Sequence, residues 1–221
     1  MSTHPFVRAV CDLKFENTFN PYVDRCETFD RVDAARTRAA ALEAMIESAM
    51  AAPVDAIWVG RDLGYRGGRR TGLALTDEVN ASAHMSRWGV EISRPTIGAV
   101  VAERTAAVIW TMLAQIEARI FLWNVFPLHP HEPGQPFTNR NHNAKERRAG
   151  EDILASLIGL LRPKRIFAIG NDASQAVSRV NDLLPILPVR HPSYGGQTQF
   201  LQQIREAYAL ETPQPSMPLL L

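Results

Sequence analysis

Asp62 and His191 are the residues of this chain whose settings most invite chemistry. Asp62 lies in Val59-Gly60-Arg61-Asp62-Leu63-Gly64-Tyr65-Arg66-Gly67-Gly68-Arg69-Arg70-Thr71-Gly72, where a hydrophobic strand opens into a glycine- and arginine-rich loop. His191 lies in Val189-Arg190-His191-Pro192-Ser193, at the end of another apolar strand far down the chain. A parallel sheet sets such strand ends side by side, so the acid and the imidazole are expected to face one cleft. Glycines let backbone amides come close to an anion. An acid, an imidazole and a phosphate-holding loop together point to chemistry on a nucleotide.

For those ends to meet, strands and helices must alternate between them. Asp33 reads as the N-cap of an Ala-rich helix running to about Ala52, closed by Pro53. Val54 to Gly60 reads as the first strand, followed by a short helix near Thr76 to His84 and a long apolar helix from Ile97 to Glu117. Arg119 to Val125 is almost continuously apolar, as a strand buried on both faces must be. Phe126 to Asn143 is a Pro-, His- and Asn-rich loop, too long for a simple connection and therefore a functional candidate. A helix (Ala144 to Leu161), a strand (Arg165 to Gly170), a short helix (Ala173 to Val180), a strand (Pro185 to Arg190) and a helix (Gln197 to Ala209) complete the pattern. The predicted fold class is α/β, a three-layer α/β/α arrangement around a central four-stranded parallel sheet. Its strand ends deliver Asp62, Asn124, Gly170 with Asn171, and His191 to one edge. Residues 1–210 read as one domain and 211–221, with three prolines, as a loosely ordered tail.

The composition agrees with this and narrows the partners. With 46% hydrophobic and 21% charged residues, the chain is globular rather than disordered. No apolar run approaches the roughly 18 residues that span a bilayer. Residues 1–14 show no apolar stretch behind a basic start, so a cytoplasmic protein without membrane contact is expected. Two cysteines, Cys11 and Cys26, are too few for a cluster site, and no histidine pair stands at zinc spacing from them, so neither metal nor cofactor is expected. The net charge of +1 selects no partner. Its distribution is more telling, with Arg61, Arg66, Arg69 and Arg70 in one loop and Arg140, Lys145, Arg147 and Arg148 after another strand. Such patches read either as phosphate contacts or as a solvated basic face.

The motifs together resemble the uracil-DNA glycosylase superfamily. One branch carries Gly-Gln-Asp-Pro-Tyr-His and then His-Gly-Leu-Cys-Phe; Gly60-Arg61-Asp62-Leu63-Gly64-Tyr65 and Thr71-Gly72-Leu73-Ala74-Leu75 fall into that pattern without a gap. The iron–sulfur branch, with Gly-Glu-Ala-Pro-Gly, is equally close, but its cluster cysteines have no counterpart here. His191-Pro192-Ser193 reproduces the closing His-Pro-Ser motif, Asn124 matches the asparagine after the second strand, and Gly170-Asn171-Asp172-Ala173 matches a glycine-led turn into a helix. The resemblance runs from about Val54 to Ala209.

What it implies is excision of uracil flipped out of DNA, by hydrolysis of the N-glycosidic bond at the start of base excision repair. Asp62 would stabilise the cationic sugar and orient water, and His191 would donate to uracil O2 as charge develops. Asn124 would read N3–H and O4 together. Gly60, Arg61, Leu63, Gly64, Tyr65 and Leu75 would complete the substrate site. Arg66, Arg69, Arg70, Thr71, Ser193, Tyr194 and Gln197 would contact DNA. The implied partners are uracil-containing DNA and free uracil as product, with the protein a monomer.

Four departures from the family pattern stand out. Leu63 replaces a proline, Gly64 aligns with the tyrosine that excludes thymine, and Leu75 replaces a phenylalanine that stacks on the base. Tyr194-Gly195-Gly196-Gln197 replaces a wedge-bearing segment. Tyr65 is the alternative for excluding thymine; Phe126, Phe137, Tyr194 and Gln197 are the alternatives for stacking. Two other readings remain open: a uracil- or DNA-binding relative without turnover, and an unrelated α/β protein that binds a free nucleotide. The second lacks the Lys-Ser/Thr of a P-loop and the spacing of a dinucleotide fingerprint.

Overall fold

The computed structural model describes residues 4–211; most of the predicted loose tail, 212–221, lies outside the described residues. A helix α1 (Pro5–Cys11), a two-residue strand β1 (Thr18–Phe19) and α2 (Ala34–Met50) precede the main sheet. The first long strand, β2 (Ala56–Asp62), runs two residues beyond its predicted end and carries Arg61 and Asp62 on the strand itself. Short helices α3 (Gly68–Thr71) and α4 (Ala81–Ser86) follow, then α5 (Arg104–Leu113), β3 (Ile120–Phe126) and the two-residue β4 (His129–Pro130). The chain continues through α6 (Ala144–Leu161), β5 (Arg165–Ile169), α7 (Asn171–Val180), β6 (Ile186–Val189) and α8 (Gln197–Tyr208).

The helix expected from Ile97 to Glu117 forms only over its central ten residues. Two carboxylates upstream hold the segment before it out of the helix. Glu78 accepts from the Thr96 hydroxyl and, at 2.8 Å, from Val101 N, while Asp77 accepts from Glu103 N at 2.7 Å. Side-chain acceptors here outcompete the carbonyls a helix would offer. The helix expected from Thr76 to His84 likewise starts later, at Ala81.

The sheet is four-stranded and wholly parallel, in the order β3-β2-β5-β6. Successive side chains on a strand face opposite ways, and both faces are apolar. Ile57, Val59, Phe121, Trp123, Ile166 and Ala168 share one core cluster with α1, α2, α6 and α7. Ala56, Trp58, Ile120, Leu122, Phe167 and Ile169 face the other, with α5 and α8. From β2 the chain turns one way to β3 and from β5 the other way to β6, so the carboxyl ends of β2 and β5 flank a topological switch point. In open parallel sheets the ligand crevice opens there.

Two histidines are neutral parts of this scaffold. His84 is fully buried, with Nδ1 2.9 Å from Thr76 Oγ1, and burial pushes its pKa down to about 3. His129 Nδ1 accepts from Arg69 Nη1 at 3.1 Å, because a guanidinium can only donate. Its proton is therefore on Nε2, which donates to Thr138 O at 2.9 Å. Burial first, and Arg69 second, push His129 down to about 3. Below pH 6.5 the unfolded chain binds protons that the folded chain refuses. Stability is therefore expected to fall between about pH 6.5 and pH 3, on the order of 1 kcal/mol per pH unit for each ring. Urea unfolding at pH 7 and pH 5 checks this; equal stabilities would show that the rings titrate normally.

Candidate active site

A cleft of about 700 Å³ opens at the carboxyl edge of the sheet, and its lining includes Arg61, Asp62, Leu75, Glu103 and His191. The distant segments that hold Asp62 and His191 thus meet as the alternating pattern required. Both oxygens of Asp62 are engaged. Arg61 Nε donates to Oδ2 at 2.7 Å, and His142 Nδ1 makes a short hydrogen bond to Oδ1. Arg61 also reaches Asp172 on α7, Nη1 to Oδ2 at 3.4 Å, and so ties β2 to the start of the neighbouring helix.

Sequence reasoning missed His142. It sits in the long loop after β3, one residue before the N-cap of α6, and that helix start fixes its place. Asn143 Oδ1 accepts from Lys145 N and Glu146 N, while Glu146 Oε2 accepts from Asn143 N, forming a capping box. Arg140 donates to both oxygens of Glu146, at 2.8 and 2.6 Å, and binds the loop to the helix. The Asn-x-x-Glu cap was readable in the sequence; that the residue before it faces Asp62 was not.

His191 has a defined tautomer. Ser193 N donates to its Nδ1 at 3.2 Å, which leaves the proton on Nε2. Burial first, then Arg61 and Arg190, lower its pKa, so the ring is neutral at neutral pH. The result is an uncharged N–H donor in a half-buried setting. Ser193 Oγ lies 3.2 Å from Thr105 Oγ1 and braces the motif against α5.

Asn124 pairs with Gly60 across β3 and β2 and is 1% exposed. Neither its Oδ1 nor its Nδ2 has a hydrogen-bonding partner. A Cβ at Gly60 would lie 2.5 Å from Asn124 Oδ1 and 2.7 Å from Leu75 Cδ2, so glycine is required for either side chain to fit. Glu103, also absent from the sequence-based site, stands against Gly64 and Gly67, and a Cβ at Gly67 would collide with its carboxyl. Burial and the nearby Asp77 raise its pKa, against the pull of Arg66. It falls inside the segment that the sequence pattern assigns to a long helix, which hides it.

The glycine-rich loop differs most from expectation. Arg69 and Arg70 are 4% and 8% exposed and turn inward, away from any phosphate. The Arg69 guanidinium lies 3.8 Å from the Phe19 ring centroid and bonds His129; that of Arg70 lies 3.9 Å from the Phe29 centroid, with Nε 3.0 Å from Glu78 Oε2. Thr71 is buried too, its hydroxyl accepting from Leu73 N at 3.1 Å. Clustered arginines in a loop read as a surface patch because linear spacing carries no sign of aromatic partners some 40 to 50 residues earlier.

The remaining expected residues divide between the cleft and its surroundings. Leu63 is buried beneath Gly68 and, with Gly64, lines the cleft. Tyr65 and the exposed Arg66 line a neighbouring groove instead. Tyr194 stands at the cleft rim, 99% exposed, and Gln197 is exposed at the start of α8. Phe126 is fully buried beside His142, and Phe137 packs near Phe29 and Arg69, so neither faces the cleft.

Sheet order, switch-point cleft, acid and neutral imidazole define an α/β protein with its candidate site at the carboxyl ends of its strands. The family model described as the uracil DNA glycosylase superfamily matches residues 52–212, and the chain belongs to that superfamily. Among solved structures it is similar to wild-type SMUG2 of Pedobacter heparinus, at 15% identity and a TM-score of 0.58, over 92% of this chain and 93% of that one. A mutant of the UNG of Nitratifractor salsuginis matches at 17% identity and a TM-score of 0.42, over 80% and 78%. No curated protein matches. Among the described residues no helix is long and apolar enough to cross a membrane.

The two kinds of arginine are separable by experiment. Arg70→Met, which removes the cation beside the buried Glu78 carboxylate, is expected to cost about 3 kcal/mol of unfolding free energy. Arg66→Met at the surface should stay within about 0.5 kcal/mol. Urea denaturation of both variants distinguishes them, and equal stabilities would contradict the inward placement of Arg70.

Proposed function

We propose that the protein is a monofunctional uracil-DNA glycosylase that flips uracil from DNA and hydrolyses its N-glycosidic bond, starting base excision repair. The observation that carries this reading is the shared cleft of Asp62 and a neutral His191 whose Nε2–H is free to donate. Family membership supplies the reaction class.

In this mechanism the C1′–N1 bond breaks and its electron pair leaves with uracil, spreading onto O2. His191 Nε2–H donates to that oxygen; a neutral donor suits an anion that departs without being protonated. The sugar becomes an oxocarbenium ion, which the Asp62 carboxylate stabilises across the cleft. Water adds to C1′ and its proton passes to Asp62. Arg61 and His142 are positioning residues, since they hold the two carboxylate oxygens and set their direction. Asn124 offers the acceptor for N3–H and the donor for O4. Tyr194, an exposed ring at the rim, fills the gap in the base stack. Arg66 and the backbone of the glycine-rich loop lie beside the cleft to meet flanking phosphates. The partners are then uracil-containing DNA and released uracil, and no cofactor enters the reaction.

A labelled oligonucleotide holding one uracil, treated with alkali after incubation, tests the proposal. Thymine and cytosine oligonucleotides serve as controls, in chelator-containing buffer. Cleavage at uracil alone is expected. His191→Ala should slow it about 10²–10³-fold, the effect of removing one preorganised donor, and Asp62→Asn should slow it strongly too. His142→Ala should lower kcat with little change in KM, and His142→Asn, which keeps a donor near Nδ1, should recover part of the loss. Uncleaved uracil oligonucleotide that still shifts in a gel would favour a binding relative without turnover. Undiminished rates in the Asp62 and His191 variants would remove the mechanism.

A further inference from the structure

Asn124 has the most anomalous side chain in the site. A buried amide with neither donor nor acceptor satisfied costs about 1–3 kcal/mol, and such a group marks a place prepared for a ligand. Yet Asn124 does not line the cleft, whereas Leu75 does. Asn124 Oδ1 and Leu75 Cδ2 both approach the point where a Cβ of Gly60 would stand, at 2.5 and 2.7 Å, and so lie within about 5 Å of one another. Leu75, which lines the cleft, is thus a close neighbour of an amide that does not reach it. Its backbone is left-handed, with φ +55°, a region that leucine rarely occupies. Strain of this kind persists where the surroundings impose it and collects at switching and binding positions.

We infer that Leu75 is a gate over the base-recognition pocket: in the closed state its isobutyl group occupies the space beside Asn124, and a base reaches the amide only when Leu75 swings away. The inference rests on the glycosylase reading and deepens it, because it makes Leu75 an obstacle to be displaced rather than a platform for the base. An open state populated at about 10% would weaken apparent affinity about tenfold relative to a pocket without the gate. The cost of displacing Leu75 is common to every base, so discrimination rests on the amide beside it. A base whose edge satisfies both Asn124 atoms recovers the free energy of displacing Leu75; one that satisfies a single atom leaves the amide half unpaired.

Leu75→Ala separates the two roles. As a gate, its truncation should lower KM for a single-uracil oligonucleotide about tenfold. As a stacking platform, truncation should instead lower the rate on uracil, and a fall of threefold or more in folded protein would overturn the gate. Wild-type protein provides a second measurement that does not depend on the variant's folding. Nuclear Overhauser contacts between the Leu75 δ-methyls and the Asn124 side-chain amide should be present in the free protein. They should vanish on saturation with a single-stranded oligonucleotide bearing one 2′-fluoro-2′-deoxyuridine, whose fluorine resists oxocarbenium formation. Contacts that persist in the complex would refute the gate while leaving the glycosylase intact. Wild-type protein that neither excises uracil nor binds this oligonucleotide would refute the glycosylase reading, and the gate with it.

Discussion

Three buried guanidinium groups hold the loop on which the cleft depends. Arg38 of α2 is fully buried and doubly paired with Asp30, and its Nε donates to Arg70 O at 2.9 Å. A charge taken from water is tolerated only when paired and hydrogen-bonded, so this contact sets the spacing between α2 and the loop. Arg69 and Arg70 then point back over Phe19 and Phe29, while Tyr22 Oη donates to Gly72 O at 2.7 Å. The amino-terminal segment therefore acts as a clamp beneath the glycine-rich loop. Glycine makes such a loop pliable in isolation; the buried cations remove that freedom and leave its backbone facing the cleft.

The same economy of placement governs the two reactive groups. Asp62 belongs to a strand, and its direction is set by Arg61 from its own strand and by His142 from the far loop. His191 is set by the amide of Ser193 two residues on, within its own turn. One group is therefore tuned by long-range contacts and the other by a local one. This predicts different sensitivities to distant change: the acid's orientation depends on the cap of α6, whereas the imidazole's tautomer depends on little beyond its own motif.

Leu75 and Asn124 introduce a tension into the site. Asp62 and the His191 motif are held by hydrogen bonds, while here an unpartnered polar amide lies close to a hydrophobic side chain on a left-handed backbone. Local conflicts of this kind are expected at functional positions, where consistency yields to the needs of a ligand. The Glu103 carboxyl beside Gly64 is a second case, a half-buried acid whose pKa burial raises.

Much of the architecture was legible because it follows from local patterning. The apolar run of β3, the Ala-rich α2, the capped α6 and the strand–helix alternation specify a parallel sheet, and a parallel sheet must collect its carboxyl ends on one edge. Asp62, Asn124 and His191 could therefore be brought together from sequence. The length of α5 could not, because Asp77 and Glu78 capture the preceding backbone from a distance. Nor could the fate of Arg69 and Arg70, since an arginine reads the same whether water or an aromatic ring lies above it. His142 and the closeness of Leu75 to Asn124 were likewise hidden. Linear order determined which elements form and which strand ends meet; only the packed structure decided which polar groups pair, because pairing depends on burial and on neighbours remote in the chain.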